Sequence, residues 1–216
     1  MGVPGLLERM DDRQVIESAD FTLADNWCGG FYELALELGD TSDVRLEAAL
    51  GALWSAAGVE GCYGSRWTPA TSQEVVPCTL ASLERSSHLY GVVPLPNGAP
   101  MVCGVVAVRE DNGPDWLDFY LPLGALGRAD PRSHEHMAGD PDQNSASLAW
   151  RRPIDDWLAD LGARVYTAVD FRLGLIGNEV SGQIDATTFA ADPPTHHSIG
   201  YLIPREGQLR YLPATE

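Results

Sequence analysis

Four of the five histidines in this 216-residue chain lie in two tight clusters, His134 with His136 and His196 with His197. In an extended segment, residues i and i+2 point to the same side, and Zn²⁺ sites use such pairs together with a third histidine or a carboxylate. If the two clusters meet in space, they form a site for zinc or another divalent metal. The segment lacks the helical HExxH spacing, so we favour solvent-exposed loop histidines and keep the metal site as the alternative.

A pair of carboxylates comes next among the groups that could do chemistry. Residues 31–39, FYELALELG, alternate in the period-two pattern of a strand, with Glu33 and Glu37 on the same side. Four residues at about 3.3 Å each separate the two acids by roughly 13 Å, beyond the ~5 to 9.5 Å between glycosidase carboxylates. We therefore predict that both acids lie on a solvated face of the sheet. A carboxylate from a neighbouring strand could still lie close to either acid and form a pair with it.

The residues needed by several other classes of enzyme are missing. The chain has no lysine, which excludes Walker-type nucleotidases, lysine Schiff-base enzymes and ordinary protein kinases. Ser181 lies in NEVSG, which is not a GxSxG nucleophile motif, and the glycine-rich residues 171–182 do not contain GxGxxG. Four cysteines, at positions 28, 62, 78 and 103, form no CxxC pair, and this spacing favours free thiols. The sequence leans towards a protein that is not an enzyme.

The charge of the chain bears on its partners. Asp and Glu number 31 against 14 arginines, which gives a formal net charge of −17. A field of this sign repels nucleic acids and anionic lipids but attracts a basic protein. Residues 1–14 do not have the basic region followed by an apolar region that is typical of a secretion signal, and no apolar run approaches the ~20 residues that span a bilayer. We therefore expect a soluble cytoplasmic protein, with no role in membrane or nucleic-acid binding.

The elements that must position these groups can be predicted from periodicity. A strand at 31–39 precedes a helix at 43–57, and an amphipathic strand at 115–126 precedes a second helix whose first turn contains Pro153. Each helix leads into a further strand, so the strand–helix–strand order occurs twice, with too little identity to indicate a duplication. Asn97-Gly98 and residues 205–207 predict two hairpin turns.

Together these elements predict one α+β domain over residues 1–216, with a largely antiparallel sheet packed by two principal amphipathic helices. A partial apolar stripe predicts a short helix within residues 1–18. Residues 66–78 and 127–149 are rich in Gly, Pro, Ser, Thr and Asp, and they predict two long polar loops.

Several aromatic residues fall at the edges of predicted elements, where an interface or pocket could use them. The candidates for an interaction or pocket site are Trp27, Trp67, Trp116, Trp150 and the strand-end residue Glu179. In composition, the chain is similar to many uncharacterised bacterial domains and to some immunity proteins, which neutralise partner toxins.

We therefore predict a bacterial, non-enzymatic interaction protein without a cofactor, whose partner is a protein and whose acidic surface favours a basic one. Two alternatives stay open. The first is a metal-dependent hydrolase built on the histidine clusters, and the second is a small-ligand-binding domain with a pocket near Glu179.

Overall fold

The computed structural model describes residues 17–109, 113–133, 144–189 and 193–216. The metal candidates His134 and His136, and nearly all of the helix predicted within residues 1–18, lie outside these ranges. Eight strands are present in the described residues: β1 (Phe31–Asp40), β2 (Glu60–Tyr63), β3 (Leu89–Pro94), β4 (Pro100–Arg109), β5 (Pro114–Pro122), β6 (Leu173–Asn178), β7 (Gly200–Arg205) and β8 (Gln208–Leu212). Four α-helices accompany them: α1 (Asp43–Ala57), α2 (Leu80–Ser86), α3 (Leu123–Ala129) and α4 (Asn144–Ala168).

The strands form one sheet in the order β2-β3-β4-β5-β1-β6-β7-β8, and all neighbouring pairs are antiparallel. The predicted α+β fold with an antiparallel sheet is thereby confirmed. Two connections cross the sheet: α1 joins β1 to β2, and α3 with α4 joins β5 to β6. Each crossover links two parallel strands. Because β1 and β5 are antiparallel and the two crossovers run in opposite directions across the sheet, the right-handed rule places both helices on the same face. Helices α1 and α4 do pack against each other there.

Helix α1 has the limits that its sequence predicts. The Ser42 hydroxyl accepts a hydrogen bond from the Arg45 N–H at 3.3 Å, and Gly58 ends the helix with a φ of 65°. Its apolar stripe is buried: Leu46, Ala49, Leu50, Leu53, Trp54 and Ala57. Local signals were sufficient here because caps and periodicity agree.

The predicted loop at 127–149 and the predicted strand at 115–126 are wrong at their ends. Strand β5 stops at Pro122, and α3 follows it because Leu126 and Ala129 bury their side chains despite two glycines in the helix. Helix α4 begins at Asn144, so Pro153 lies inside the helix and not in its first turn. Burial of Trp150, four residues before the buried Ile154, extends the apolar stripe beyond the point where the proline suggested a start.

The sheet has a helix face and a loop face. Alternate residues of β1 (Tyr32, Leu34, Leu36 and Leu38) belong to the large core cluster under α1 and α4. On the loop face, Ala35 and Trp116 belong to a second cluster with apolar residues of the segment that follows β6: Val180, Ile184, Ala186 and Phe189. This loop face carries the polar groups described next.

Candidate functional site

The two acids of strand β1 are buried, which corrects the predicted solvated face. Glu33 is 6% exposed and Glu37 is 0% exposed, because residues 179–189 fold back over this side of the sheet. Asp118 of β5 pairs with Ala35 and so lies between them on the same face, also buried. The loop face therefore holds three buried carboxyl groups in a row, which we call the acid row.

Residues 179–189, the acid-anchored loop, are held on the sheet by this row. The Ser181 N–H donates to Glu33 Oε1 at 2.7 Å, and the Ser181 hydroxyl donates to Asp118 Oδ2 at 2.7 Å. The Ala186 N–H donates to Glu37 Oε2 at 2.6 Å. Each acid thus replaces the water that loop donors would otherwise bind, and the loop brings its apolar side chains onto the sheet.

Burial dominates the acid–base properties of the row. Desolvation raises the pKa of Glu33 to about 7, with a further contribution from the charge of Asp118, while the hydrogen bond from Ser181 opposes the rise. Desolvation also raises the pKa of Asp118 to about 6 and raises that of Glu37. Near neutral pH the row therefore holds protons that isolated carboxyl groups would have released.

Two oxygen atoms of the row support this protonation. Among the described residues, Glu37 Oε1 and Asp118 Oδ1 are buried and have no hydrogen-bond partner. Burying an ionised oxygen atom without a hydrogen-bond donor costs free energy. A protonated carboxyl group costs less to bury because it carries no net charge. The row thus consists of buried carboxyl groups that fasten a loop and that keep their protons to higher pH than isolated carboxyl groups do.

Glu179 stands at the edge of this row. It is exposed and has a φ of 47°, and its charge adds to the rise in the pKa of Glu33. Gly30 makes room for it, because a Cβ there would lie 2.5 Å from a Glu179 carboxylate oxygen. Glu179 is thus part of a polar surface at the end of β6.

Aromatic side chains continue the loop face towards β3. We call Trp27, Tyr90, His88, Tyr120 and Phe31 the aromatic row. Successive ring centroids along it lie 5.4, 5.8, 5.7 and 4.6 Å apart. His88 Nδ1 and the Tyr120 hydroxyl are hydrogen-bonded at 2.8 Å. The row begins beside a loop that carries the most exposed aromatic side chain of the described residues.

That loop is residues 64–79, the Trp67 loop. Trp67 is 74% exposed, and the Arg66 guanidinium lies 4.5 Å from the Trp67 ring centroid and 5.1 Å from that of Trp27. The Gln73 side-chain amide donates to the carbonyl oxygens of Ser65 and Thr68 at 2.9 and 2.8 Å. These contacts fix the loop internally, so Trp67 is held outward by a defined structure.

The other two candidate tryptophans are not available to a partner. Trp116 is buried in the core of the loop face, and Trp150 is buried on the helix face against Tyr32. Trp150 lines a cleft to which Glu179 does not contribute. The other lining residues are Leu95, Pro96, Asn97, Asp130, Arg132, Pro153 and Ile154. Only Trp27, Trp67 and Glu179 of the predicted interaction residues reach the surface of the loop face.

The histidines at 196 and 197 have different environments. His196 is exposed, whereas His197 Nδ1 lies 2.9 Å from the Pro194 carbonyl oxygen, which fixes the proton on Nδ1. His197 Nε2 is then an acceptor, buried and without a partner in the described part of the chain. Within the described residues, no three His, Cys, Asp or Glu side chains are arranged to hold a metal ion. The metal site stays a prediction, since His134 and His136 lie outside these residues.

Sequence reasoning did not select these members of this face: Asp118, His88, Tyr90, Tyr120 and Phe31. The signal for Asp118 was present, because it alternates with the apolar Leu117 and Phe119 and so had to share a face with Trp116 and Tyr120. Its position beside Glu33 depends on β1 pairing with β5, eighty residues away in the chain. No local sequence pattern predicts that β1 pairs with β5.

Comparisons with models of protein families, with curated proteins and with solved structures found no match for this chain. Among the described residues, no helix combines the length and apolar character needed to cross a membrane.

Proposed function

We propose that this protein is a non-enzymatic interaction module that binds a basic protein partner, with Trp67 at the centre of the contact. The observation that carries the proposal is the outward, internally fixed position of Trp67. Tryptophan and arginine are the residues most enriched among interface hot spots, and here the two are stacked together. A preordered loop loses less conformational entropy on binding than a flexible one.

Charge supports the kind of partner. The chain carries a net charge of −17, and its acids are distributed along the sequence and not gathered in a tail. Such a field accelerates encounter with a basic surface and disfavours acidic competitors. Neutralisation of a toxin by direct binding is one concrete form of this activity, and it requires no catalytic group in this chain.

The buried acid row supports a binding function over a catalytic one. Its carboxyl groups are covered by the acid-anchored loop, and both Glu33 and Asp118 already bind Ser181. A general acid or base must come within hydrogen-bond reach of a substrate. Here Glu33 and Asp118 are buried and each accepts a hydrogen bond from Ser181, as expected of structural anchors.

The test is a comparison of matched variants in an affinity pull-down from the native host. We expect the wild-type protein to retain a stoichiometric basic protein and Trp67→Ala to lose at least about tenfold in affinity for it. Val44→Ala is the control, because Val44 is 82% exposed on α1, outside the Trp67 loop. Binding should weaken as salt rises from about 50 to 300 mM, since salt screens the attraction. Retention that Trp67→Ala leaves unchanged would refute the proposal.

The metal-dependent hydrolase is kept as a second candidate because of one feature of His197. Its Nδ1–H faces a backbone carbonyl and its Nε2 lone pair is unpartnered among the described residues, as in histidines that bind zinc. Metal analysis of untagged protein separates the two candidates. Stoichiometric Zn, Mn or Fe that is lost in a His134→Ala/His136→Ala double variant would favour the hydrolase, and a metal-free, chelator-insensitive protein would eliminate it.

A further inference from the structure

We propose that Cys62 and Cys78 are a redox pair which a peroxide oxidises to a disulfide, and that this bond closes the base of the Trp67 loop. The effect on partner binding rests on the function proposed above, whereas the disulfide itself does not. All four cysteines lie in described residues and are free thiols in this structure.

The two thiols are held together by the backbone around them. Cys62 lies in β2 and is 4% exposed, while Cys78 is half-buried just before α2 and packs against the same core. The Val76 N–H donates to the Cys62 carbonyl oxygen at 2.8 Å, which brings the returning end of the loop beside β2. The Cys62 and Cys78 thiols are close enough for each to act on the pKa of the other as a hydrogen-bond partner. They are therefore adjacent before any oxidation occurs.

Their environments assign different roles to the two sulfurs. The hydrogen bond from Cys78 lowers the pKa of Cys62, so Cys62 is the thiolate former. The same hydrogen bond, burial and the charge of Glu47 raise the pKa of Cys78, which stays a thiol. In this pair Cys62 takes the role of the attacking cysteine and Cys78 that of the resolving cysteine.

The reaction balances with hydrogen peroxide as the oxidant. The Cys62 thiolate attacks one peroxide oxygen, the O–O bond breaks, and the departing hydroxide takes a proton to become water. The Cys62 sulfenic acid is then attacked by the Cys78 sulfur: the S–S bond forms, the S–O bond breaks, and hydroxide leaves with the Cys78 proton as a second water. Two thiols lose two electrons, and one peroxide is reduced to two water molecules.

The remaining cysteines provide internal controls. Cys103 is fully buried, and its thiol donates to the Gly91 carbonyl oxygen at 3.5 Å. Gly91 of β3 lies between it and β2, so a strand separates Cys103 from Cys62. Cys28 is exposed, on a different segment. Peroxide should therefore link Cys62 to Cys78 within one chain, while Cys28 forms only bonds between chains or oxidised acids.

The bond encloses the residues that hold Trp67 in place. Arg66, Trp67 and Gln73 all lie between positions 62 and 78 in the chain. A cross-link at this base restricts the unfolded chain and limits opening of the loop. Oxidation should raise the Tm by roughly 5 °C and should not weaken partner binding.

The experiment is peptide mapping of full-length protein after treatment with hydrogen peroxide, without reductant. We expect a Cys62–Cys78 peptide lighter by two hydrogen atoms in the wild type and in Cys28→Ser, and its absence in Cys78→Ser. Addition of a thiol reductant should restore both thiols and the original Tm. A Cys62–Cys103 bond, or free thiols at both Cys62 and Cys78 while Cys28 is fully oxidised, would overturn the proposal.

Partner binding is a separate readout. If the disulfide forms but Trp67→Ala binds the partner as wild type does, the redox pair stands and the proposed interface fails. If Trp67 is required for binding and no disulfide forms, the interface stands and the redox pair fails.

Discussion

Two loops of this molecule, the Trp67 loop and the acid-anchored loop, use their apolar residues in opposite ways. The part of the Trp67 loop that carries Trp67 is fixed by hydrogen bonds within the loop, from Gln73 to two of its carbonyl groups, and it leaves Trp67 in solvent. The loop is joined to β2 farther along the chain, through Val76. The acid-anchored loop is fixed by hydrogen bonds to the sheet, and it buries Val180 and packs Phe189 inward. What decides whether a loop covers a core or presents a side chain is where its polar anchors lie.

The largest expected effect concerns the pH dependence that the sheet anchors create. The folded-state pKa of Glu33, about 7, lies above its ordinary value of 4.5, so the folded protein binds the extra proton between these pH values. Stability from this group is present at low pH and is lost as the pH rises through 7. Asp118, with a pKa of about 6, acts in the same direction at slightly lower pH. The free energy of unfolding should fall by roughly 2 kcal/mol between pH 5.5 and pH 8.

Urea unfolding at a series of pH values measures this decline. Glu33→Gln keeps an oxygen that can accept from Ser181 and removes the titration, so its decline should be less than half that of the wild type. Some slope should remain, since burial also raises the pKa of Asp118, Glu37 and Asp155. Glu74→Gln is an exposed control with the same change in net charge. An equal slope in wild type and Glu33→Gln would show that the acid row is not protonated as described.

A smaller effect is expected when one anchor is removed. Ser181→Ala deletes the hydroxyl that donates to Asp118 Oδ2 and leaves that oxygen buried without its donor. We expect a loss of about 1 to 2 kcal/mol at pH 8, less at pH 5.5, where the carboxyl group is protonated. Gln183→Ala is the matched control, because Gln183 is exposed and donates only within its own loop, to the Glu179 carbonyl oxygen. If both variants lose the same stability at both pH values, the sheet anchor has no special role.

The sequence predicted those parts of the fold in which local signals agree. Helix α1 has its cap residues and apolar stripe within one segment, and the β7–β8 hairpin has its turn between two short strands. Helix α4 was misplaced because Pro153 gave a local start signal, whereas the burial of Trp150 against Tyr32 of β1 depends on tertiary packing. The long-range packing of Trp150 outweighed the local start signal of Pro153.

The candidate site was less predictable for the same reason. Trp67 and Trp27 could be selected as residues at element edges, but Trp116 and Trp150 carry the same signal and are buried. Glu33 and Glu37 have the alternation of a solvated face, and only the fold of the acid-anchored loop over β1 reverses that interpretation. Alternation identifies the residues that share a face but not what covers it.

The smallest change in global stability, and the sharpest contrast between the loops, is expected from Gln73→Ala. Among the described residues, its side-chain amide donates only to Ser65 and Thr68 of the Trp67 loop, so its loss should lower the free energy of unfolding by about 0.5 to 1 kcal/mol. Hydrogen exchange should nevertheless quicken for residues 65–73 while the acid-anchored loop stays unchanged, because local opening needs less energy than unfolding of the sheet. Partner affinity should fall by a few-fold although Trp67 is still present, because the loosened loop then loses conformational entropy when it binds. Faster exchange over both loops would mean that they are held as one unit, and the distinction between internal and sheet anchors would be lost.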